Sequence, residues 1–123
     1  MLNVLVLERD PSLAWLYQEE LQEAGFQVTL ATDLASALAG LDQGRAHILV
    51  ADPLSAGGPP RTWLPRLRRR FKGPVLLLDH PRAQAALGRG LKALPKSSDL
   101  KPLINSLRTH ALQLMWSNAA GTC

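Results

Sequence analysis

The stretch Ile48-Leu49-Val50-Ala51-Asp52 decides the fold of this chain. Four apolar residues run without polar alternation and end at a carboxylate, and a Pro/Gly-rich segment over residues 53–58 follows. An unbroken run of this kind is typical of a strand buried on both faces, as in parallel sheets covered by helices. Open α/β sheets hold their ligands at the carboxyl ends of the strands, so Asp52 lies where such a site is expected.

Four further segments have strand character. Residues 4–7 and 75–78 repeat the unbroken apolar pattern, whereas 26–31 alternate apolar and polar residues and are expected nearer the edge of the sheet. Residues 91–94 are a weaker candidate for the fifth strand. The five segments are evenly spread along the chain, which leaves room for a helix between each pair.

Helical segments fill these intervals. Asp10 is expected to cap a helix that starts at Pro11 and stops at Gly25. Further helices are predicted over 34–41, 62–71 and 81–87, and a last one follows Asp99. The alternation predicts an α/β fold with a doubly wound parallel sheet. A single domain is expected over 1–116, with 117–123 as a frayed C-terminal tail.

Composition and charge narrow the class of protein. The chain has 123 residues, a single cysteine (Cys123) and a formal net charge of +4. Neither a disulfide framework nor a membrane span is indicated, so we expect a cytoplasmic protein. Residues 1–60 hold eight acidic and two basic side chains, and 61–123 hold twelve basic and two acidic ones. A basic half is compatible with nucleic acid or an acidic partner, but a solvated helix face is the simpler interpretation.

Charged residues follow the predicted strands at one end. Glu8 and Arg9 come after the first strand, Asp52 after the third, Asp79 after the fourth and Lys96 after the fifth. If the strands are parallel, all five side chains meet at the same edge of the sheet.

This arrangement resembles the receiver domain of two-component response regulators over residues 3–114. The resemblance implies a five-stranded, flavodoxin-like (βα)5 three-layer sandwich. It also implies that Asp52 is at the phosphoacceptor position and that Glu8 is the first acid of a metal-binding pair. Lys96 would match the lysine that the family has at the end of its fifth strand. In that family, Mg²⁺ and the lysine neutralise the incoming phosphoryl group. The resemblance implies that Glu8, Asp52 and the carbonyl of Leu54 would be the Mg²⁺ ligands.

Several positions depart from the family pattern. Arg9 stands where the second acid should be, and Asp79 where a Thr or Ser is usual. The family usually has Lys followed by Pro, whereas this chain has Pro95-Lys96. The segment from Asp79 to Lys96 is shorter than is usual in the family, which implies a shortened fourth helix. A cation at the metal position repels Mg²⁺ and removes a ligand oxygen. We therefore expect a metal-free ionic cluster in which Arg9 pairs with Asp52 or Asp79.

The functional expectation is an atypical receiver, or pseudo-receiver, of a bacterial phosphorelay. It would be a protein-interaction module rather than an enzyme, with a degraded Mg²⁺ and phosphorylation site and no cofactor. The alternative is a phosphorylation-competent single-domain response regulator that uses Mg²⁺ and is switched by a His kinase.

The expected partner is a protein, either a His kinase or a downstream target, with no membrane involved. A homodimer through the fourth helix, fifth strand and fifth helix is a further option, and the candidate interface residues on the last helix are Leu103, Leu107 and Leu114. Binding of nucleic acid through the basic 61–92 region is a remote alternative.

Overall fold

The computed structural model describes residues 2–78, 91–94 and 99–121. Its centre is a parallel sheet in the order β2-β1-β3-β4-β5. The strands are β1 (Asn3–Leu7), β2 (Gln27–Ala31), β3 (Ile48–Ala51), β4 (Val75–Leu78) and β5 (Leu91–Leu94). The chain order reverses between β1 and β3, so the crevice at a topological switch point lies at the carboxyl ends of these two strands. The predicted parallel α/β sheet is confirmed.

Five helices accompany the described strands. They are α1 (Pro11–Glu23), α2 (Leu34–Asp42), α3 (Pro53–Ala56), α4 (Pro60–Arg68) and α5 (Lys101–Gly121). The helix predicted over 81–87 lies outside the described residues.

Two helices differ from the sequence-based expectation. The single turn α3 occupies part of what was predicted to be a loop, because the Asp52 side chain accepts a hydrogen bond from the Ser55 amide and Pro53 is preorganised for the first helical position. Helix α5 continues to Gly121, past the domain boundary predicted at residue 116. Alanines at 119 and 120 are strong helix formers, which favours a helix where a frayed tail was predicted.

Acidic side chains cap the starts of α1, α2 and α5, as the sequence indicated. Asp10 Oδ1 accepts a hydrogen bond of 2.9 Å from the Ser12 amide, and Asp33 Oδ1 accepts one of 2.8 Å from the Ser36 amide. The hydrogen bonds from the Ser36 hydroxyl and amide lower the pKa of Asp33. Asp99 Oδ1 likewise accepts from the Lys101 amide at 3.1 Å. These caps fix where each helix leaves the sheet.

Alternate residues of β1, β3 and β4 face opposite layers of the core. Leu5 and Leu7 pack with α2 and α4, whereas Val4 and Val6 pack with α1 and α5. Side chains of a strand point in turn to the two faces of the sheet, so an unbroken apolar run is needed where both faces are covered. Within the described part of the chain, no helix is both long enough and apolar enough to span a membrane.

The apolar stripe of α5 is a core face, which corrects one interface prediction. Leu103 and Leu107 are 3% and 0% exposed and pack against the sheet, and Leu114 is a half-buried neighbour of the same cluster. The sheet needs a cover on this side, and the single apolar face of the helix supplies it. Among the side chains of α5 that the structure describes, Leu112 is apolar and exposed, with 67% accessibility.

Two leucines of α5 provide a matched test of this assignment. We expect Leu107→Ala to lower the free energy of unfolding by about 2–5 kcal/mol, because it opens a cavity in a packed core. Leu112→Ala, the control, should change it by less than about 0.5 kcal/mol, because exposed substitutions are close to neutral. Urea unfolding followed by circular dichroism measures both. Equal effects of the two substitutions would contradict the packing described for α5.

Candidate functional site

The pairing of β1 with β3 brings Glu8 and Asp52 together. Leu7 is paired with Ala51, so Glu8 and Asp52 are the first residues beyond matched strand ends. The Asp52 amide donates to the Leu7 carbonyl at 3.0 Å, and the Glu8 amide donates to the Ala31 carbonyl of β2 at 2.9 Å. Both carboxylates therefore start from backbone that is fixed by the sheet.

A serine hydroxyl lies between the two carboxylates. Ser55 Oγ is 2.7 Å from Asp52 Oδ2 and 2.9 Å from Glu8 Oε2. The Ser55 amide also donates to Asp52 Oδ2, at 3.2 Å. A hydroxyl has a single proton, so it can donate to one carboxylate at a time while its oxygen accepts from other donors. Ser55 is thus the link between the ends of β1 and β3.

The backbone of Arg9 completes this cluster. Its amide donates to Ser55 Oγ at 2.8 Å and to Glu8 Oε2 at 3.1 Å. Glu8, Asp52 and Ser55 are 1%, 3% and 7% exposed, so these contacts are shielded from water. Hydrogen bonds to charged groups are strong in such surroundings.

The segment after Asp52 is held in place by local backbone geometry. Gly57 ends α3 with φ of +111°, a left-handed conformation that an L side chain rarely adopts. The indole Nε1 of Trp63, a residue of α4 that is 1% exposed, donates to the Gly58 carbonyl at 2.9 Å. The one-turn helix that contains Ser55 is therefore anchored at both ends.

The Arg9 side chain does not play the predicted role towards Asp52. It is exposed, and no ion pair joins it to Asp52 in the part of the chain that the structure describes. Asp52 is instead contacted by the amide and the hydroxyl of Ser55, and the Arg9 amide contacts Glu8 and Ser55. The Arg9–Asp52 form of the predicted ionic cluster is therefore wrong. Asp79 and Lys96, the other predicted members, lie outside the described residues.

Ser55 is the site residue that sequence reasoning missed. Its signal was available, because a hydroxyl residue three positions after a strand-end Asp fits the pattern of a capped turn. Leu54 was instead singled out for its carbonyl oxygen, which here accepts from the Gly57 amide at 3.2 Å. The Leu54 side chain is 64% exposed at the rim of the site.

The donor set does not fit a Mg²⁺ ion in this arrangement. Mg²⁺ requires near-octahedral oxygen ligands at about 2.0–2.1 Å. The space between the two carboxylates is taken by the Ser55 hydroxyl. Among the described residues, no three His, Cys, Asp or Glu side chains form a metal-binding group.

Several solved structures with the same architecture are response regulators or their receiver domains. The chemotaxis response regulator CheY4 of Vibrio cholerae has a TM-score of 0.75 at 24% identity, over 89% of this chain and 98% of that one. The response regulator TrrA of Thermotoga maritima, in complex with Mg²⁺ and BeF, has a TM-score of 0.76 at 22% identity, over 89% and 99%. TrrA bound to the histidine kinase ThkA gives 0.75 at 21% identity, over 89% and 98%.

This chain has the receiver-domain fold. The resemblance drawn from the sequence is confirmed at the level of architecture. The sequence itself matches no protein-family model and no curated protein. At these identities the fold is shared, and the chemistry of the site has to be argued from Glu8, Asp52 and Ser55 themselves.

Two substitutions of Asp52 separate its structural role from its charge. Asn can still accept the hydrogen bond from the Ser55 amide, whereas Ala cannot. We expect Asp52→Ala to be less stable than Asp52→Asn by about 1 kcal/mol, the usual value of a side-chain cap. Thermal unfolding of both variants measures the difference. Equal stabilities would show that the cap of α3 contributes nothing, and a folded Asp52→Asn variant is also the control needed below.

Proposed function

We propose that this chain is an atypical receiver domain of a two-component, phosphorelay pathway that acts by binding a protein partner. Asp52 occupies the phosphoacceptor position in a site that has lost Mg²⁺ binding and phosphoryl transfer. The module is not a turnover enzyme, and its output is the partner that it engages.

The state of Asp52 is the observation that carries this proposal. Its carboxylate is 3% exposed and accepts hydrogen bonds from the amide and the hydroxyl of Ser55. A carboxylate attacks phosphorus efficiently when cations shield it from the anionic donor and when an oxygen is free to approach. Here Oδ2 is engaged by a neutral side chain, and Arg9 replaces the second acid that would hold the metal.

The architecture that this chain shares with TrrA supports a protein partner. That response regulator has been solved in complex with the histidine kinase ThkA. Loss of the chemistry leaves the surfaces of the fold intact, so a receiver of this kind can still recognise a kinase or a downstream target. The homodimer remains a prediction, and Leu112 is now its exposed apolar candidate on α5 in place of Leu103 and Leu107.

Intact mass after incubation with acetyl phosphate and Mg²⁺ tests the proposal. We expect wild type and Asp52→Asn to show the same unmodified mass, because the nucleophile is buried and no metal neutralises the donor. A phosphorylatable receiver domain, treated in parallel, shows that the reagent works. One added phosphoryl group on wild type that is lost in Asp52→Asn would contradict the proposal and establish the alternative, a phosphorylation-competent response regulator that uses Mg²⁺.

A second candidate function rests on the basic face around α4. Arg61, Arg66, Arg69, Arg70 and Lys72 are all exposed, and one of them, Arg70, forms an ion pair with Asp42 at 3.6 Å. A basic face of this kind favours the binding of polyanions such as nucleic acid. Binding to a DNA or RNA duplex that weakens steeply as salt rises would support this function. Undetectable binding at low salt would exclude it.

A further inference from the structure

We propose that Ser55 replaces the divalent cation of this site, so that a hydroxyl rather than a metal holds the carboxylates of Glu8 and Asp52 together. The inference deepens the proposed function and rests on it, since it explains what maintains the site after the metal is lost. It assigns Ser55 as a positioning residue that acts on both carboxylates.

The first argument is the placement of Ser55 Oγ. It lies 2.9 Å from Glu8 Oε2 and 2.7 Å from Asp52 Oδ2, which puts one atom within hydrogen-bond distance of both carboxylates. Glu8 follows β1, Asp52 follows β3, and Ser55 belongs to α3. Three backbone segments are therefore joined at one oxygen, which is the mechanical role that a bridging cation has in a metal site.

The charge of the two buried carboxylates also supports this role for Ser55. Two carboxylates brought together in a buried site repel each other unless donors or cations compensate their charge. Among the described residues, three donors lie on this pair: the Ser55 hydroxyl, the Ser55 amide to Asp52 at 3.2 Å, and the Arg9 amide to Glu8 at 3.1 Å. The Arg9 amide also donates to Ser55 Oγ at 2.8 Å, which leaves the hydroxyl proton for one of the two carboxylates.

The arrangement of Glu8, Asp52 and Ser55 also matches Mg²⁺ poorly. A metal between the carboxylates would have to displace the Ser55 hydroxyl from the position that it occupies. The same three residues cannot hold a hydroxyl bridge and a near-octahedral ion in the arrangement observed. Serine and metal are therefore alternatives at this position.

Thermal unfolding in EDTA and in millimolar MgCl2 tests the inference, with wild type, Ser55→Ala, Ser55→Thr and Ser12→Ala compared. Ser12 is an exposed serine on α1 and serves as the matched control. Wild type, Ser55→Thr and Ser12→Ala should unfold at the same temperature in both solutions. Ser55→Ala should have a Tm lower by about 4 °C or more in EDTA, and MgCl2 should restore a large part of that loss.

Three results would overturn the inference. One is a wild type that MgCl2 stabilises, and another is a Ser55→Ala variant as stable as wild type in EDTA. A third is a Ser55→Ala variant that is destabilised but does not respond to MgCl2, which would reduce Ser55 to an ordinary cap.

If Ser55→Ala does not fold, calorimetric titration of wild type with MgCl2 decides. Absence of binding heat supports the inference, and a saturable signal overturns it. These results are separate from the mass measurement above, which reports on phosphorylation, so failure of one proposal can be told from failure of the other.

Discussion

The hydrogen bond from the Asp52 amide to the Leu7 carbonyl is the contact on which the site depends. It extends the pairing of β1 with β3 by one residue beyond Leu7 and Ala51. A slip of one residue in this register would send Asp52 to the other face of the sheet, because side chains alternate along a strand. The apolar residues of β1 and β3 prevent such a slip, since each of them is required by one of the two core layers. The core thus sets the register, and the register sets the distance between Glu8 and Asp52.

A buried pair of carboxylates constrains everything placed around it. TrrA, which has the same fold, was solved with Mg²⁺ and BeF bound. In this chain the amides of Arg9 and Ser55 and the hydroxyl of Ser55 converge on the same pair. Neutral donors have fixed positions and do not depend on the concentration of an ion. A site built in this way is suited to a constant shape, as the binding module that we propose requires.

Much of this organisation was predictable from the sequence because the relevant signals are local. Unbroken apolar runs identified the buried strands, and acids at positions 10, 33 and 99 identified helix starts. The position of Glu8 and Asp52 at one edge followed from parallel pairing alone. These inferences needed the period of the pattern and the chemistry of single residues, and both can be read from the chain.

The errors came from features that depend on the packed structure. Leu103 and Leu107 form an apolar stripe that reads equally well as an interface or a core face, and only the position of the sheet decides between the two. The charge of the Arg9 guanidinium suggested an ion pair. In the structure it is the backbone amide of Arg9 that enters the cluster, where it contacts Glu8 and Ser55. Ser55 lies 47 residues from Glu8, so the hydrogen bond between them cannot be anticipated from local spacing.

A crystal structure of the wild-type protein, grown in millimolar MgCl2, tests the central claim most directly. The account predicts Ser55 Oγ within hydrogen-bond distance of both Glu8 and Asp52, with no metal ion between the carboxylates. An octahedral Mg²⁺ bound to Glu8, Asp52 and the Leu54 carbonyl, with Ser55 turned away, would contradict it.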